Sequence, residues 1–138
     1  MRTEPLTLSD EEFSELQRST PDNGSGSAVG LRATQLARIY LARLYPGSEG
    51  APVPPGADIA LKHREQIISF EIKGTRDTRI APGQLKVSSL HSYKSLIAGT
   101  PVLRITGVFE RTPIIYTMLY GTDITLRPEP RWSVHLTK

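Results

Sequence analysis

Apolar residues along the chain fall into three regimes. The first thirty positions are mostly polar, with one short helical signal. Ser9 followed by Asp10, Glu11 and Glu12 has the form of a hydroxyl cap with acids in the first turn, where the helix dipole favours them. This predicts a short helix ending near Arg18. The stretch Thr20-Pro21-Asp22-Asn23-Gly24-Ser25-Gly26-Ser27 has the composition of a flexible connector. An acidic helix and linker over residues 1–29 is therefore expected, as an appendage or dimer arm, ahead of a single domain over residues 30–138. A first helix packed on that domain is the alternative.

From Gly30 the spacing becomes helical. Ala33, Leu36, Ala37, Tyr40, Leu41 and Leu44 share one face, with Arg32, Gln35, Arg38 and Arg43 largely outside it. Pro46-Gly47 ends the helix, and a loop rich in Pro and Gly runs to residue 57. The period then shortens to two. Asp58 to Leu61 and Ile67 to Lys73 read as strands, with Lys62 to Gln66 as the hairpin turn. Phe70 and Ile72 alternate with Glu71 and Lys73, so the two charged side chains share a sheet face. A basic connector over residues 74–86 leads to a helix capped by Ser88 or Ser89 and stopped at Gly99. Val102 to Phe109 and Ile114 to Tyr120 are expected strands around a turn at Arg111-Thr112-Pro113. A short strand at Ile124 to Leu126 and a tail around Trp132 to Leu136 are expected to complete the sheet, with Phe109, Tyr116, Tyr120 and Trp132 packing the last strands. The fold class is mixed α/β with a central sheet.

Composition narrows the functional classes. With 138 residues, 38% of them hydrophobic and 22% charged, the chain is long enough to bury a core. It has no cysteine, which excludes disulfides, thiolate zinc sites and thiol nucleophiles. The start lacks the basic-then-apolar pattern of a leader, and no run approaches the roughly 18 apolar residues of a membrane span. A cytoplasmic protein without membrane contact is expected. The net charge of +3 is uneven: residues 1–20 hold two basic and five acidic side chains, a sum of −3, and the remainder carries +6. A basic body suits a polyanionic partner such as DNA.

The candidate chemistry centres on Asp58, Glu71 and Lys73. A tight hairpin brings Asp58 near Glu71, and two close carboxylates repel unless a cation lies between them. Mg²⁺ or Mn²⁺ meets that need with oxygen ligands and retains waters for a phosphate. Lys73 on the same face can orient an attacking water and offset phosphate charge. The three histidines, His63, His91 and His135, have no metal-ligand spacing. No Gly-x-Ser-x-Gly elbow, P-loop or Gly-x-Gly-x-x-Gly pattern is present.

Gly56-Ala57-Asp58-Ile59-Ala60-Leu61 followed by Phe70-Glu71-Ile72-Lys73-Gly74-Thr75 resembles the PD-(D/E)XK nuclease superfamily. The Glu-Ile-Lys-Gly-Thr stretch is also similar to the nuclease-like domain at the C-terminus of NO VEIN-type proteins. The resemblance implies a restriction-endonuclease-like mixed central sheet flanked by helices, a Mg²⁺ requirement and a DNA substrate. It implies metal-binding roles for Asp58 and Glu71 and a catalytic role for Lys73. The expected activity is endonucleolytic phosphodiester hydrolysis in restriction or defence against foreign DNA. A homodimer would supply two active sites for the two strands. Arg76, Arg79, Gln84 and Lys86 are the expected nucleic-acid contacts. Two departures from the pattern stand out: Pro55 lies three residues before Asp58, and the acid often found on the first core helix is replaced by Gln35, the candidate auxiliary ligand. A nuclease-fold module that binds nucleic acid or a partner protein with weak or no catalysis is the alternative.

Overall fold

The computed structural model describes residues 1–80 and 85–137. Its centre is a six-stranded sheet in the order β1-β6-β5-β4-β3-β2. The strands are β1 (Arg2–Pro5), β2 (Glu49–Gly50), β3 (Ile59–His63), β4 (Gln66–Gly74), β5 (Val102–Thr106) and β6 (Ile114–Met118); the helices are α1 (Asp10–Ser19), α2 (Gly26–Leu44) and α3 (Leu90–Ile97). All neighbouring strands are antiparallel except β4 and β5, which run parallel with α3 in the connection between them. A parallel pair needs such a long crossover.

Period-two alternation sorts the β3–β6 side chains onto two faces. Ile59, Leu61, Phe70, Leu103, Ile105 and Ile115 pack on Ala33, Leu36, Ala37 and Leu41 of α2. Each large aliphatic or aromatic side chain buried there contributes about 1.5–3 kcal/mol. On the other face Val102 and Met118 pack with Leu96 of α3, together with Tyr116, Leu85 and Val87. Gly74 permits the close approach of α2 to β4, since a Cβ there would lie 2.5 Å from that of Ala33.

The N-terminal segment belongs to this body. β1 pairs with β6, and Leu6, Leu8 and Leu16 are buried in the main core. Ser9 and Glu12 form the reciprocal capping box that starts α1. Arg32, expected on the exposed side of its helix, is fully buried. Its guanidinium donates to the carbonyls of Leu16 at 2.8 Å, Thr20 at 2.9 Å and Val108 at 3.2 Å, and lies over the rings of Phe13 and Phe109. The planar five-donor fork of arginine meets α1's terminal carbonyls, so the division expected at residue 29 is crossed by hydrogen bonds and by a strand pair. The helix after the connector also begins at Gly26, capped by Ser25, rather than at Gly30.

The C-terminal expectation is corrected in the opposite direction. Beyond an isolated bridge between Tyr120 and Ile124, the described residues of the tail form no strand. Trp132, Val134 and Leu136 are 88%, 94% and 99% exposed. β6 already has β5 on one side and β1 on the other, so no ladder position beside it is open. Among the described residues, no helix is long and apolar enough to cross a membrane.

Candidate active site

The hairpin is tighter than its polar run suggests. β3 continues to His63 and β4 begins at Gln66, leaving Arg64 and Glu65 as a two-residue turn, both with positive φ. That turn fixes the register: Ile59 faces Phe70, so Asp58 precedes one member of the pair and Glu71 follows the other. Asp58 donates its own N–H to the carbonyl of Phe70 at 2.8 Å, and its Oδ2 accepts the N–H of Ile72 at 2.7 Å. These two bonds clamp the start of β3 against the strand carrying Glu71 and Lys73. The preceding loop is held from the other side: Gly56 has φ +89°, and a Cβ there would lie 2.2 Å from the carbonyl oxygen of His91 in α3.

Glu71 is 4% exposed and lies on the α3 face of the sheet, beside Val102 of β5. Its Oε1 lies 3.4 Å from Lys73 Nζ. Burial raises the carboxyl pKa, the Lys73 ammonium and its hydrogen bond lower it, and the charge of Asp58 raises it further, for a net upward shift. One ammonium therefore does not fully offset burial and the second carboxylate. Additional positive charge at this point would favour the ionised form.

A cavity of about 420 Å³ opens from Glu71 and Lys73. Its walls include the aliphatic side chains Leu85, Val87, Leu96, Val102, Ile124 and Leu126, with Lys86 and Arg127 as further cations. Lys86 Nζ pairs with Glu129 Oε1 at 2.5 Å, which ties the C-terminal segment to this rim. Asp58 is exposed and lies outside the cavity lining.

The remaining site expectations separate. Lys86 is at the cavity. Arg76 is turned toward the connector before α2, with Asp22 at 2.8 Å, the Ser25 carbonyl at 2.9 Å and the ring of Phe109 beneath it. Arg79 is exposed and has no ion pair among the described residues. Gln84 lies outside the described residues. Gln35 is exposed and lines a separate groove between α1 and α2 with Glu11, Glu12 and Glu15. Pointing away from the apolar stripe of α2, it meets α1 rather than the cavity of Glu71.

Three features escaped the sequence reading. Arg104, in register with Lys73, is 4% exposed; it donates to the Gly74 carbonyl at 3.2 Å, while its Nε has no partner among the described residues. Burial lowers its pKa, opposed by the charge of Asp77. Thr106, two residues on, is also buried with an unpartnered hydroxyl. A charged residue inside an otherwise apolar strand was the available signal. The closure of the cavity by residues 123–127 had no local signal at all.

Among the described residues, no group of three or more His, Cys, Asp or Glu side chains converges as a metal site. Two neighbouring carboxylates, one with an oxygen already accepting a backbone N–H, cannot enclose a cation. They suit a hard divalent ion that retains several waters, as Mg²⁺ does with one or two carboxylates. Comparison with protein-family models, curated proteins and solved structures finds no match to this chain.

Proposed function

We propose that the protein is a metal-dependent nuclease of the PD-(D/E)XK type that hydrolyses phosphodiester bonds in DNA. The observation that carries the reading is geometric: a buried Glu71 with Lys73 Nζ 3.4 Å from its carboxylate and Asp58 hydrogen-bonded to the same strand at Ile72. The element order supports it: helix α2, the antiparallel pair β3–β4 bearing the acids and the lysine, then α3 and the parallel strand β5.

Asp58, through the Oδ1 that accepts no bond among the described residues, and Glu71 would hold Mg²⁺ or Mn²⁺. When bound, the cation supplies Lewis-acid polarisation of the phosphate and a more acidic water. Lys73 orients the attacking water and offsets the charge that builds on the phosphate. Lys86 and Arg127 bind non-reacting phosphate oxygens, each adding affinity that falls as salt rises. The apolar walls limit water at the reacting centre, which strengthens these electrostatic contacts.

Cleavage of labelled DNA with Mg²⁺ or Mn²⁺ tests the reading. Asp58→Ala, Glu71→Gln and Lys73→Ala should each lose activity, the lysine variant by on the order of 10²–10⁴-fold, with DNA binding retained. Cleavage unaffected by all three substitutions would refute it. A second reading, a nuclease-fold module that binds DNA without cutting, is favoured by the position of Gln35 outside the site. It predicts salt-dependent binding and no cleavage by the wild type.

A further inference from the structure

Glu71 is almost fully buried, yet it lines the cavity. Lys73 also lines the cavity, so a phosphate held there can place its nucleoside within it. A volume of about 420 Å³ lies within the range of small-molecule sites, roughly 300–1,000 Å³, and far below what a stacked duplex would need. The walls divide into two chemistries. Lys73 and Arg127 match an anion, Lys86 being paired with Glu129; Leu85, Val87, Leu96, Val102, Ile124 and Leu126 match a flat, weakly polar body. A nucleotide carries both parts at that scale.

Resting on the nuclease reading, we infer that this cavity receives one unstacked nucleobase beside the scissile phosphate, making single-stranded nucleic acid or a frayed end the preferred substrate. In a duplex, the same base must first leave the stack, which costs free energy that a single strand does not spend. Aliphatic walls grip a base through its faces and read little of its edge. Asp123 is engaged within the protein, its carboxylate accepting the N–H of Leu119 at 2.9 Å. The base preference is therefore weak.

Cleavage rates of the full chain with Mn²⁺ are compared on a single strand, the blunt duplex of the same sequence, and a single strand with one abasic position. The single strand should be cut at least tenfold faster than the duplex, and cutting beside the abasic position should fall. Leu126→Trp, which fills the cavity from a segment outside the sheet, should abolish that preference, whereas Leu126→Ala should preserve it. A second arm needs no catalysis. Methyl NMR signals of Leu96, Val102 and Met118 should shift with dAMP or dTMP and stay in place with deoxyribose 5-phosphate or inorganic phosphate. Equal or faster cutting of the duplex, or methyl signals indifferent to the base, would overturn the inference. If no nucleic acid is cut, the nuclease reading falls, and the NMR arm alone decides whether the cavity takes a nucleotide.

Discussion

Two buried arginines, one on each face of the sheet, show how differently the faces are built. Arg32 on the α2 side donates to three backbone carbonyls and lies over two aromatic rings. Arg104 on the α3 side makes one bond at 3.2 Å and leaves Nε unpartnered. On the same face lie the orphan hydroxyl of Thr106, a carboxyl raised by burial and the cavity of about 420 Å³. An unmade bond on a buried polar group costs roughly 1–3 kcal/mol. The α2 face spends its buried arginine on holding α1 and α2 together. Of the three buried side-chain atoms without a partner among the described residues, two, Arg104 Nε and the Thr106 hydroxyl, lie on the α3 face, and the third, the Tyr40 hydroxyl, is in the α2 core.

The comparison breaks most directly at Arg32. Arg32→Met should destabilise the fold by about 3–4 kcal/mol, because three carbonyls lose their donor and the end of α1 loses its tie. Chemical denaturation measures this; a loss below about 1 kcal/mol would show that the α2 face does not depend on the pairing. Gly56→Ala should cost about 2–3 kcal/mol through its positive φ and the carbonyl of His91, and should also depress any cleavage by displacing the Asp58 loop.

Glu71→Gln should act in the opposite sense and stabilise the metal-free protein. The carboxyl pKa is raised in the folded state, so the protonated form favours folding and that stability is lost as pH rises through the folded value. The gain from glutamine is therefore absent below about pH 4.5, the unfolded value, and complete above the folded pKa. Thermal melts across pH, without divalent ions, test the sign. Arg104→Met should have the smallest effect, within about 1 kcal/mol of the wild type, since losing one weak bond offsets releasing a desolvated charge. A loss as large as that of Arg32→Met would erase the distinction between the faces.

The parts of this structure legible in the sequence are those whose burial leaves a period. The face of α2, the alternation in β4 that sets Glu71 beside Lys73, and the hairpin that brings Asp58 to them all follow from spacing. β1 was not legible: Arg-Thr-Glu-Pro has no apolar alternation, and it is a strand because β6 offers an open ladder. That same pairing leaves the alternating Trp132, Val134 and Leu136 exposed, although their pattern reads as a strand. Arg32 was read as solvated because a helical projection does not show that α1 returns to supply acceptors. Arg104 and the closing segment at 123–127 depend on contacts between distant parts of the chain, which local pattern does not encode.

Crystals soaked in Mn²⁺ and measured at the manganese absorption edge would test the central claim most directly. The account predicts one anomalous peak coordinated by Asp58 and Glu71, with oxygen distances of about 2.1 Å, lost in Glu71→Gln. No peak there in fully soaked crystals, or a peak that persists in Glu71→Gln, would contradict it.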